Sequence, residues 1–126
     1  KKIYDKIKYI VNKIKPSKIF THSIDDPHPD HRAVYYFTTK LAEKMAFSGE
    51  IYSFNIWNFF LNFKSRHLPK LVVDISETYK LKVEAFSKHK SQLPAILALT
   101  WSIYAQALWN GLDSNVRYAE VFYKVK

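Results

Sequence analysis

Cysteine is absent from the 126 residues, glycine occurs twice and methionine once. Without thiols there can be no disulfide and no thiolate metal site, so imidazoles and carboxylates are left as the ligands for any metal. The same absence points to the cytoplasm. No apolar run approaches the length of a membrane span, so none is expected. Lys1-Lys2-Ile3-Tyr4-Asp5 lacks the apolar core of a signal peptide, and no initiator methionine precedes it, so the chain is expected to begin inside a longer one. Arginine is scarce too, limited to Arg32, Arg66 and Arg117. The net charge of +9 therefore comes from lysine, and the lysines are scattered. Scattered lysine reads as a solvated surface rather than a phosphate-binding stripe, so nucleic acid is not an expected partner.

Hydrophobic residues make up 48% of the chain and aromatics 17%, enough for a packed core. The length suits one domain, residues 1–126. Ile3, Ile7, Ile10 and Ile14 recur at helical spacing, predicting a helix over 2–15 that Pro16 ends. Lys18-Ile19-Phe20-Thr21-His22 reads as a short buried strand. The next helix opens at Pro29 or Asp30 and runs to Phe47, with Gly49 as its breaker. Strands are expected over 50–57, 71–75 and 118–125 and a loop over 58–69. Asp74 or Ser76 would cap a helix to about Lys90, and a last helix would run from Pro94 to Asn110, closed by Gly111. Alternating strands and helices predict an α/β fold, a mostly parallel sheet with helices on its faces.

The densest chemistry lies in "DDPHPDHRAV", residues 25–34. A neutral imidazole is a good zinc ligand, and a carboxylate beside a second imidazole fixes its tautomer. One histidine of His28-Pro29-Asp30-His31 could hold a metal while the other, backed by Asp30, moves a proton. The alternative is a turn whose histidines are exposed by chance. A binuclear H-x-H-x-D-H site is excluded, because Asp26 stands where its first histidine would be. His22, at the strand's end, either faces the same cleft or is bonded to backbone, and Asp25-Asp26 reads as the loop's turn.

The string "KIFTHS", then "DDPHPDHRAV", "VDISETYKLKVEAFSKHKSQL" and "YAEVFYKV", in this order, resembles the C-terminal half of the LmbE-like, or PIG-L, family of zinc-dependent N-deacetylases. The resemblance implies a Rossmann-like fold lacking its N-terminal part. It implies His31 as a zinc ligand, His28 as the general acid or oxyanion-stabilising histidine, and Asp30 as the carboxylate orienting it. Tyr118 would polarise the acetyl carbonyl, and His89 and Gln92 would line the sugar pocket or bond a helix end. The family's A-H-P-D-D-E motif, which supplies two further ligands and the general base, has no counterpart here. The chain alone is therefore expected to hold zinc poorly and to need an N-terminal part of the same protein or a complementary chain. The expected substrate is an N-acetylated amino-sugar conjugate. A homo-oligomer is compatible with the sequence. The competing reading is a non-catalytic, basic and aromatic module that binds sugar or nucleic acid.

Overall fold

Hydrophobic patterning sets out the elements, and a computed structural model shows how they assemble. It describes residues 2–54, 67–88 and 93–126, the side chains of 93–99 excepted. The elements are α1 (Lys2–Ile14), β1 (Lys18–His22), α2 (Pro29–Lys44), β2 (Glu50–Phe54), β3 (Lys70–Asp74), α3 (Tyr79–Ser87), α4 (Leu93–Asp113) and β4 (Ala119–Lys124). The strands form one mixed sheet in the order β1-β2-β4-β3, the α/β class expected. Among the described residues, no helix is long and apolar enough to cross a membrane. The expected tail of β2 beyond Phe54 and most of the predicted loop over 58–69 lie outside the described residues.

The chain packs as two compact units, the first comprising residues 1–58, 62–69 and 123–126. Here β1 and β2 run parallel in register from Lys18↔Glu50 to His22↔Phe54, so a crossover must join them, and α2 supplies it. On its other side β2 meets the end of β4 antiparallel, Tyr52 opposite Lys124. Ile51, Tyr52 and Ser53 are buried in succession, the pattern of a strand covered on both faces. Leu41 and Ala42 of α2 complete the core.

Two helix features depart from the sequence expectation. In α1 the half-buried positions are Tyr4, Ile7 and Val11, while Ile3, Ile10 and Ile14 are exposed and no residue is buried. A groove of about 530 Å3, lined by Ile7, Val11, Ile19, Phe37 and Leu41 among others, separates α1 from full closure on β1 and α2. Helix α2 stops at Lys44 rather than Phe47, because Ala46 takes a left-handed φ of 48° and the Phe47 amide turns back to the Ala42 carbonyl. Gly49 serves a different need from breaking a helix. A Cβ there would stand 2.5 Å from the Ser17 carbonyl oxygen, where the two backbone segments approach.

The second unit comprises residues 59–61 and 70–122. Asp74 and Ser76 do not cap α3. The Asp74 carboxylate accepts the amide and hydroxyl of Ser76, whose oxygen in turn accepts the Tyr118 amide at 3.2 Å. The N-cap is Thr78, whose side chain makes no capping bond. Helix α4 runs through Gly111 to Asp113, and the left-handed residue that ends the turn is Asn115, at φ 62°. Gly111 is needed for space, since a Cβ would lie 2.6 Å from the Arg117 carbonyl oxygen.

Candidate functional site

The loop from β1 to α2 is built from its own polar side chains. Ser23, fully buried, accepts the Asp25 amide on its hydroxyl at 3.1 Å, and its carbonyl accepts the Asp26 amide at 3.3 Å. The Asp26 side chain turns inward and is 1% exposed. Its Oδ1 accepts the His28 amide at 2.9 Å, an Asx turn that delivers the chain to α2. Arg32, one turn into α2, donates from Nη1 to the carbonyls of Asp26 and Pro27 at 2.7 and 2.8 Å. His28 is the N-cap of α2, and its Nδ1 accepts the Asp30 amide at 3.2 Å while Pro29 occupies the first turn. A ring nitrogen thus takes the place of the usual hydroxyl or carboxylate cap.

Three imidazoles converge beside this turn. The rings of His22 and His31 are stacked with centroids 4.0 Å apart and planes 2° from parallel, and His28 tilts onto His31 at 4.8 Å. Asp26 Oδ2 lies 2.9 Å from His31 Nδ1. Burial holds His22 below the ordinary imidazole pKa, with the charges of His31 and His28 acting in the same direction and Asp26 opposing. His22 Nδ1, Asp26 Oδ2 and His31 Nδ1 are buried and make no hydrogen bond of good geometry. The same residues each offer a ligand atom within 4.8 Å of the others. Two imidazoles and a carboxylate are donor types that suit zinc and its neighbours. Their arrangement narrows the set. An imidazole lone pair lies in the ring plane, and one ion cannot lie in two parallel planes a stacking distance apart. As placed, His31 can serve a cation with a carboxylate, and His22 backs it as a stacking partner.

The expected residues fall as follows. His28 and His31 are brought together, but the Asp30 carboxylate is 87% exposed and 3.9 Å from His28 Nδ1, so Asp30 meets His28 through its backbone amide. The sequence reading placed Asp26 in the turn. It is there, and it also faces His31, which "DDPHPDH" could not disclose, because adjacent aspartates differ only in which one the fold buries. Tyr118 belongs to the second unit. Its ring stacks on Tyr79 with centroids 4.1 Å apart, and the Arg117 guanidinium lies 5.3 Å from its ring centre. Burial, then the neighbouring Tyr118 and Tyr104, raises the Tyr79 phenol pKa. His89 and Gln92 lie outside the described residues.

No protein-family profile matches the chain. Among curated proteins it is 31% identical over 105 residues to a diacetylchitobiose deacetylase of Thermococcus kodakarensis, covering 74% of this chain and 38% of that protein. Among solved structures it superposes with TM-score 0.77 at 17% identity on a teicoplanin-pathway deacetylase, covering 98% of this chain and 51% of the other. A Pseudomonas putida 4-carboxy-2-hydroxymuconate hydratase gives TM-score 0.72 at 15% identity, with 98% and 57% covered. The fold therefore accompanies more than one reaction, and the reaction must be argued from the loop. The chain spans between about two fifths and three fifths of the length of these proteins. The H-P-D-H loop standing between β1 and α2, with this likeness in sequence and fold, agrees with the resemblance to the LmbE-like (PIG-L) deacetylases, of which the chain spans about half the length.

Proposed function

We propose that the chain is part of a zinc-dependent deacetylase that hydrolyses the acetamide of an N-acetylated amino sugar. The observation that carries this reading is the H-P-D-H loop, which sets two histidines at the head of α2, one engaged by a backbone amide and the other facing a buried carboxylate. The identity to a diacetylchitobiose deacetylase supports the substrate class.

His31 would hold the metal. A zinc ion bound there supplies Lewis acidity and a water of lowered pKa. His28 Nδ1 is occupied as the acceptor of the Asp30 amide, so in the neutral ring the proton sits on Nε2. From there the half-exposed side chain can donate to the carbonyl oxygen as negative charge develops on it. Arg32 holds the loop carbonyls and Asp26 the turn, which keeps both rings at fixed positions before substrate arrives. A catalytic zinc usually keeps three protein ligands, so the further ligands and the general base are assigned to residues outside this chain, in an N-terminal part of the same protein or a complementary chain.

The test is acetate release from diacetylchitobiose by the longer protein that contains this chain. Hydrolysis should be lost on chelation, restored by zinc, and lost in His31→Ala and His28→Ala. A zinc-binding protein whose hydrolysis is unchanged in both variants would refute the assignment.

A further inference from the structure

We infer that the loop holds its two histidines in opposite tautomers, with Asp26 as the positioning residue whose carboxylate keeps the His31 proton on Nδ1 and leaves Nε2 as that ring's free lone pair. The inference deepens the proposed function, since it states which nitrogen of His31 can face a cation.

A carboxylate whose side chain is 1% exposed must be compensated by hydrogen bonds or a charge. Oδ1 has its partner in the His28 amide. Among the described residues, Oδ2 has only His31 Nδ1, 2.9 Å away, within hydrogen-bonding reach but without good alignment. Among those residues, the Arg32 guanidinium donates Nη1 to main-chain carbonyls rather than to this oxygen. If His31 Nδ1 were bare, its lone pair would face an anionic oxygen at 2.9 Å, an arrangement with no attraction in it. A proton on one of the two atoms turns the contact attractive, and an imidazole nitrogen is far more basic than a carboxylate. A cation between the same two atoms is the rival solution. The parallel stack keeps the His22 ring out of the plane of His31, so that ring could not complete the shell of such a cation, and metal-free spectra separate the two solutions. The His31 side chain is 23% exposed although its Nδ1 is sealed, so the accessible edge belongs to other ring atoms.

His28 is the mirror case. Its Nδ1 accepts a backbone amide and must be bare, which places its proton on Nε2. Two histidines three residues apart thus present unlike groups at their outer nitrogens. One donates a proton in a hydrogen bond, and the other donates an electron pair.

Long-range 1H–15N correlation spectra of the metal-free chain, taken where both rings are neutral, read the tautomers directly. The expected result is His31 protonated on Nδ1 and His28 protonated on Nε2. Asp26→Asn keeps a carbonyl oxygen for the His28 amide and removes the charge facing His31. It should move the His31 proton to Nε2, leaving His28 and the backbone amide spectrum in place. A wild-type His31 protonated on Nε2 overturns the proposal whatever the variant does, and so does a His31 that stays protonated on Nδ1 in Asp26→Asn. If the tautomers are as stated but the longer protein releases no acetate, the enzyme reading fails and this one stands.

Discussion

Helix α1 and the loop from Ser23 to His28 belong to the same unit and differ in how they are held. Helix α1 has the plainest helical patterning in the chain, yet none of its residues is buried. The loop has no periodicity at all, yet Ser23 and Asp26 are among the most buried polar residues described. An apolar stripe is an offer of burial, and it stabilises only as far as a partner surface accepts it. A polar turn closed by its own side chains needs no such partner. Its bonds are satisfied over a few residues, so it can hold a reactive group in place at modest cost in ordered chain.

The largest expected effect comes from the chemistry the loop holds. On the proposed deacetylase function, His28→Ala in the longer protein should lower kcat/KM by about 10² to 10⁴, the span usual for a positioned acid–base or donor group. On the same reading, His31→Ala should abolish hydrolysis altogether. Both are read from acetate release. Next in size is the loop's own stability. Asp26→Ala leaves the His28 amide without its acceptor and should cost about 1–3 kcal/mol in denaturant unfolding. An effect near zero would mean the turn does not depend on its buried carboxylate.

A third effect lies at the strands between these two regions. Glu50 binds Lys124 at 2.6 Å and Lys18 at 3.2 Å, and these contacts, Lys124 first, lower its pKa from 4.5 to about 2. A carboxylate held below its unfolded value stabilises above that value and loses its contribution as pH falls toward the folded one. Stability should therefore decline between about pH 4.5 and 2, and the decline should be shallower in Glu50→Gln, as read from urea midpoints across that window. The smallest effect belongs to α1. Ile14→Ala, at a residue 67% exposed, should change unfolding stability by less than about 0.5 kcal/mol. A cost of several times that would show that the stripe is covered in solution, and the contrast with the loop would fall.

Much of the fold was legible before any coordinates. The strand Lys18–His22 and the helix opening at Pro29 fall where periodicity and proline place them. Helix ends were less legible. Gly49 and Gly111 read as breakers, but the left-handed residues are Ala46 and Asn115, and the glycines are required for backbone approach. Close approach between distant segments leaves no local signature in a sequence. At the site, His28 and His31 stand out by residue type and spacing. Asp26 does not, because it becomes a partner of His31 only when the turn folds it under the ring.

The order of residues by itself determined the alternation of strands and helices, the absence of thiol chemistry and the pair of histidines at the start of α2. Each of these depends on residue type and on spacing along the chain, which a linear reading contains. Tertiary structure alone decided which aspartate is buried, which ring nitrogen faces it, and that His22 lies flat against His31. Those outcomes depend on where separate segments meet in space, and at 3–4 Å a change in direction turns a ligand into a neighbour.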